Sequence, residues 1–202
     1  MQDSPSFSEF LIRRARLDEY GVVAGAFGAA HGFRPDRATV LGLWLSVVLG
    51  RVHVVRPERE DGKDGPLVAA FRVRGVRLQT LRGRVHGLTM DFLWVSPQCG
   101  FELSDAGNMP YTPVQLTLAL LDRFRDLALS VNTRRVGPPV RVLTAWIPSN
   151  LAEEVQSLEY QRRRERERAL RVRALRYPDL FWTRTGNGDG HLTEIVKHLT
   201  GV

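Results

Sequence analysis

The chain is 202 residues long, enough for one domain that hides about 70% of its unfolded surface and needs no disulfide to fold. Apolar residues make up 43% and charged residues 25%, ordinary globular usage that excludes a disordered tail, a collagen-like chain and a coiled coil. The 29 basic residues exceed the 22 acidic ones for a net charge of +7, and a single cysteine, Cys99, excludes an internal disulfide.

No apolar run approaches the roughly 18 residues of a membrane span. Met1 to Glu9 is polar and acidic, without a basic-then-apolar signal pattern. The expectation is a cytoplasmic protein with no membrane partner. Leu11 to Arg16 reads as an opening strand. Asp18 is placed to cap a helix on Val22, Val23, Ala26, Phe27 and Ala30, which Gly32 stops. Pro35 and Asp36 open a second helix with the stripe Val40, Leu43, Trp44, Val47 and Val48, ending at Gly50.

The period then changes. Val52 to Val55 is a β-branched run, Pro57 to Gly65 a charged hairpin loop, and Leu67 to Val73 the returning strand. Val76 to His86 alternates weakly and reads as an exposed strand or a loop excursion. Leu88 to Val95 is a strong strand that stops at Ser96-Pro97. Gln98 to Tyr111 is irregular, and long irregular segments beside buried strands tend to carry function. Thr112, Pro113 and Gln115 form a capping box for a helix on Val114, Leu118, Leu121, Phe124, Ala128 and Val131, ending near Asn132. Val140 to Ile147 is a strand. Leu151 to about Leu158 is a helix, Pro178 to Thr185 a short strand, and His191 to Leu199 a terminal helix. There is no internal repeat and no linker.

Only Lys63 and Lys197 are lysine; 29 basic residues less these two leaves 27 arginines. Scarce lysine and isoleucine point to a GC-rich gene. The other reading is a polyanion partner, with the run from Arg162 to Arg176 as a nucleic-acid groove rather than a solvated edge. The five histidines show no metal spacing, and no metal is expected.

The order of elements from Leu11 to Thr185 resembles the GCN5-related N-acetyltransferase (GNAT) superfamily. LIRRAR and the following helix, the hairpin HVVRPEREDGKDGPLVAAFRV, LTMDFLWVSP, the helix from Thr112, VRVLTAWIPSNLAEEVQSLEY and PDLFWTRT carry the resemblance in that order. The family's Arg/Gln-x-x-Gly-x-Gly/Ala diphosphate signature is missing; Gln98-Cys99-Gly100 and a longer loop stand in its place. The resemblance implies an α/β (α+β) fold: a central mixed, mostly antiparallel sheet with helices on both faces. It implies a single domain over 1–202, with 186–202 an extension. It implies transfer of an acyl group from acetyl-CoA, another acyl-CoA or a carrier-protein thioester to a small-molecule or protein amine.

On that resemblance the backbone of Leu93, Val95 and Ser96 holds the pantetheine arm as an added strand would. Gln98, Gly100 and the helix start at Thr112 and Val114 face the diphosphate. Asp91, mid-strand in an apolar run, is the base; the opposing reading is that it points to solvent or pairs with an arginine. Tyr111 is the acid, and Tyr160 reads as packing. The alternative function is a GNAT-fold binding protein with a decayed donor site, whose arginine face holds nucleic acid or a protein.

Overall fold

The computed structural model describes residues 7–59, 64–80, 83–97, 101–102, 110–134, 137–170, 182–184 and 191–199. The chain divides into two compact units, one of 1–72 with 92–116 and one of 73–91 with 117–202.

The first unit opens with β1 (Phe7–Arg14) and a 3-10 turn (Leu17–Glu19) leading into α1 (Tyr20–His31). Asp18 lies inside that turn and does not cap the helix; the Glu19 carboxylate closes the turn by accepting the Arg16 N–H at 2.9 Å. α1 buries Val23, Ala26, Phe27 and Ala30, leaves Val22 exposed, and is followed by Gly32 at φ +67°. α2 (Arg37–Val48) begins on Asp36, whose side chain accepts the Thr39 N–H at 2.8 Å. It buries Leu43 and Val47, but Trp44 and Val48 of the predicted stripe are exposed.

β2 (Val52–Arg59) runs antiparallel to β1, with Ile12 opposite Val55, and to the start of β3 (Ala69–Thr80), with Val54 opposite Ala70. Pro57, expected in the loop, pairs within β2 opposite Phe10. β3 and β4 (Gly83–Val95) each pass from one unit to the other, so 76–80 and 83–86 extend these two strands instead of forming an excursion. Beyond β4, β5 (Phe101–Glu102) pairs antiparallel with β6 (Pro110–Tyr111), and α3 (Pro113–Thr133) follows.

In the second unit β4 pairs in parallel with β7 (Val140–Pro148), the register shifting between His86 and Gly87. A Cβ on Gly87 would lie 2.8 Å from the Val142 carbonyl oxygen and 3.2 Å from Val76 Cγ2, so the close approach requires glycine. Asn132 at the end of α3 donates to the Val140 carbonyl at 2.9 Å and accepts the Val140 N–H at 2.7 Å, which sets where β7 starts. α4 (Ser149–Leu170) runs well past Leu158, because arginine and glutamate are good helix formers. β8 (Thr183–Arg184) and β9 (Leu192–His198) complete the chain.

β9 corrects the expected terminal helix. It pairs antiparallel with β7 from Val142↔His198 to Pro148↔Leu192, burying Leu192, Ile195 and Lys197. In hydrogen-bonded order the strands run β1-β2-β3-β4-β7-β9-β8, a mixed sheet in which β4 and β7 are parallel and the other assigned neighbours antiparallel. Among the described residues four α-helices accompany it, which makes the fold mixed α/β. Among the described residues no helix is long and apolar enough to cross a membrane.

Candidate functional site

The β4–β7 ladder runs from His86↔Val140 to Met90↔Ala145. β4 itself continues to Val95, and among the described residues none of Asp91–Val95 takes part in that ladder. Phe92, Leu93 and Val95 are buried, so the end of the strand is covered on both faces. Phe92 meets the Phe27 ring edge-on at 5.1 Å, and the Arg72 guanidinium lies 5.9 Å from the Phe27 centroid. Ser96 donates its N–H to the Val68 carbonyl at 2.8 Å, and Pro97, with no N–H, ends the strand. Leu93 and Val95 project side chains into the core, so only main-chain groups there are available to a ligand.

At the start of α3 the expected capping box is present. The Thr112 hydroxyl accepts the Gln115 N–H at 3.3 Å, and the Gln115 side-chain oxygen accepts the Thr112 N–H at 3.0 Å. Pro113 has no N–H, and the Leu116 N–H goes to the Thr112 carbonyl at 3.0 Å. Of the first-turn amides, that leaves Val114 to face an anion, helped by the positive end of the helix dipole. The Val114 side chain itself is buried.

Asp91 lies in the second unit, between fully buried Met90 and Phe92 in sequence. Its carboxylate is 8% exposed and accepts from Arg74 Nε at 2.5 Å; Arg74 is 47% exposed. Arg74 is a partner the sequence did not single out. Its only signal is its place in the arginine-bearing stretch Arg72, Arg74 and Arg77.

Leu93, Val95, Ser96, Thr112 and Val114 fall in the first unit. Gln98, Cys99, Gly100 and Asp105 lie outside the described residues, as do the side chains of Glu102 and Tyr111. Tyr160 is exposed, not packed, and stacks under the Arg164 guanidinium at 5.2 Å. Of the arginine run, Arg162 pairs with Asp122 at 3.2 Å and Glu159 at 3.5 Å, while Arg164 and Arg168 are exposed on α4. Among the described residues, no group of three His, Cys, Asp or Glu could hold a metal ion.

No family model matches the chain, and no curated protein does. Solved structures do. One is the polyamine N-acetyltransferase of Drosophila melanogaster, at 14% identity and a TM-score of 0.46 over 95% of this chain and 100% of that one. An agmatine N-acetyltransferase variant in its apo form gives 15% and 0.46 over the same shares. The structure of yncA from Salmonella typhimurium with its cofactor acetyl-CoA gives 16% and 0.46 over 96% of each chain. These are likenesses of overall architecture.

Proposed function

We propose that this chain is a GNAT-like N-acyltransferase that moves an acyl group from an acyl-CoA thioester to an amine. The carrying observation is β4, which outruns its parallel ladder with β7 by the whole of Asp91–Val95. A pantetheine arm is an extended chain with two amides, and main chain outside a ladder satisfies it as a neighbouring strand would. Leu93, Val95 and Ser96 are assigned to that arm, and the helix start at Thr112 and Val114, with Gln98 and Gly100, to the phosphates.

The amine nitrogen attacks the thioester carbonyl carbon. The C–N bond forms, the C–S bond breaks, the amine loses a proton to Asp91, and the departing thiolate takes a proton from Tyr111 to leave as the free thiol. Asp91 pairs with Arg74, whose guanidinium is half exposed, and an incoming ammonium group would take that partner's place. The acceptor is a small-molecule or protein amine.

The test is binding and turnover with the purified full chain. Acetyl-CoA at a hundredfold over its dissociation constant stabilises a binder by about 2.7 kcal/mol, a clear rise in Tm. Thiol release should then appear with a panel of primary amines. A chain that DNA and heparin stabilise, but acetyl-CoA and longer acyl-CoAs do not, is not an acyl-CoA enzyme.

A further inference from the structure

α2 is apolar on two sides. One side buries Leu43 and Val47. The other carries Leu41, Trp44, Leu45, Val48 and, just past the helix, Leu49, exposed by 58, 43, 45, 49 and 58%. These residues recur at i, i+3, i+4, i+7 and i+8, the spacing of one continuous helical stripe. From Ala38 to Gly50 there is no charged residue to interrupt it. A helix that is apolar all round is one whose both faces are covered.

We infer that this outer face of α2 is the contact between two copies of this chain. The five side chains expose on the order of 500 Å², near the upper end of what a monomer leaves open, and most of the ~800 Å² per partner that a stable interface buries. Leu17, Val22 and Phe33 of the same unit are also half exposed or more. A charge-free centre is the composition of a homodimer interface, and a second copy presents the same stripe across a two-fold axis. Trp44, mid-stripe, is the natural anchor. A charged partner would find nothing on this face to pair with.

The net charge of +7 on each copy gives the contact a signature. Like-charged protomers repel, and salt screens that repulsion without weakening apolar contact. Association should therefore tighten with salt, the opposite of polyanion binding.

The experiment is sedimentation of the full chain across a concentration series at low and high salt, with Leu45→Glu and Trp44→Glu beside it. The wild type should run as a dimer whose dissociation constant falls as salt rises. Each substitution should raise that constant at least a hundredfold with an unchanged far-UV spectrum, since both side chains already stand in solvent in the protomer. Arg123→Glu on the outer face of α3 should leave the dimer intact. A wild type monomeric at every concentration and salt overturns the inference, as does a dimer that survives both substitutions. So does a monomer whose Trp44 fluorescence shifts on neutral phosphatidylcholine vesicles, which would make the stripe a lipid face.

Discussion

Glu19 and Asp91 are both nearly buried carboxylates held by arginine, at 11% and 8% exposure. Glu19 accepts Arg13 at 2.6 and 2.9 Å, Arg56 at 3.1 and 3.2 Å and the Arg16 N–H at 2.9 Å. It thereby ties β1, the 3-10 turn and β2 together, and Arg13 reaches on to Asp64 at 2.7 Å. Burial alone would raise the Glu19 pKa, but Arg13, the Arg16 amide and Arg56 hold it at about 2. Its arginine partners are only 18% exposed, whereas the partner of Asp91 is 47% exposed. The first carboxylate is a cross-link. The Asp91–Arg74 pair has its cation half in water, where solvent weakens the attraction. The contrast is between a carboxylate locked among largely buried arginines and one whose Arg74 partner reaches water.

The sharpest way to break the contrast is Asp91→Asn. If Asp91 is the proposed base, its loss should lower kcat/KM by about 10² or more. A variant of unchanged kcat/KM would return Asp91 to a surface ion pair. Glu19→Gln should do the reverse: about 3 kcal/mol of stability lost at neutral pH, a fall in Tm of roughly 6–12 °C, and kcat/KM per folded molecule unchanged.

Acid sharpens the same point. The folded-state pKa of Glu19 lies below its unfolded value of 4.5, so its contribution is complete above that pH and is lost as pH falls toward 2. Denaturation across that window should therefore be shallower in Glu19→Gln than in the wild type. Equal slopes would mean that the arginines do not act through this carboxylate.

His53 titrates higher, and in the same sense. Burial pushes its pKa down and nearby Arg14 adds to the effect, while the ring stacks on Phe71 at 5.1 Å. A His with a depressed folded-state pKa stabilises fully above its unfolded value of 6.5, and that contribution fades as pH drops below it. His53→Phe should flatten the stability curve between pH 6.5 and 5 in urea titrations; an unchanged curve would place the ring in water.

Apart from β5 and β6, which lie in the stretch read as irregular, the strand-helix order from β1 to α4 was legible because those segments carry long periods and side-chain caps: Asp36 and Thr112 both bond as their sequence contexts imply. β9 was not legible. Leu192, Ile195, Val196 and Leu199 fit a helical stripe, yet Thr193, Ile195 and Val196 are β-branched, and a short apolar run obeys whichever neighbour is free to pair. Here that neighbour is β7. The outward side of α2 was misread for a related reason: a helix apolar on every side has no period to say which face is the inner one. At the site, the β4 strand and the cap could be placed from sequence. Arg74 could not, because an ion pair across strands depends on register and leaves no local trace.

The smallest predicted effect concerns the helix start. The Thr112 hydroxyl and a bound phosphate compete for the Gln115 N–H, which would join the Val114 N–H as a first-turn donor, since Pro113 has none and Leu116 is already bonded within the helix. Thr112→Ala removes the cap and should cost about 1 kcal/mol, a fall in Tm of roughly 2–4 °C. It also frees that N–H for an anion. If the first turn of α3 faces the donor phosphates, the KM for acyl-CoA should hold steady or fall as Tm falls, because the ligand regains a donor the side chain had claimed. A KM that rises tenfold would instead mean that the hydroxyl itself touches the donor. A dissociation constant for acyl-CoA independent of both Thr112 and ionic strength would mean that the phosphates lie away from this turn, leaving the Leu93–Ser96 main chain as the whole of the donor contact.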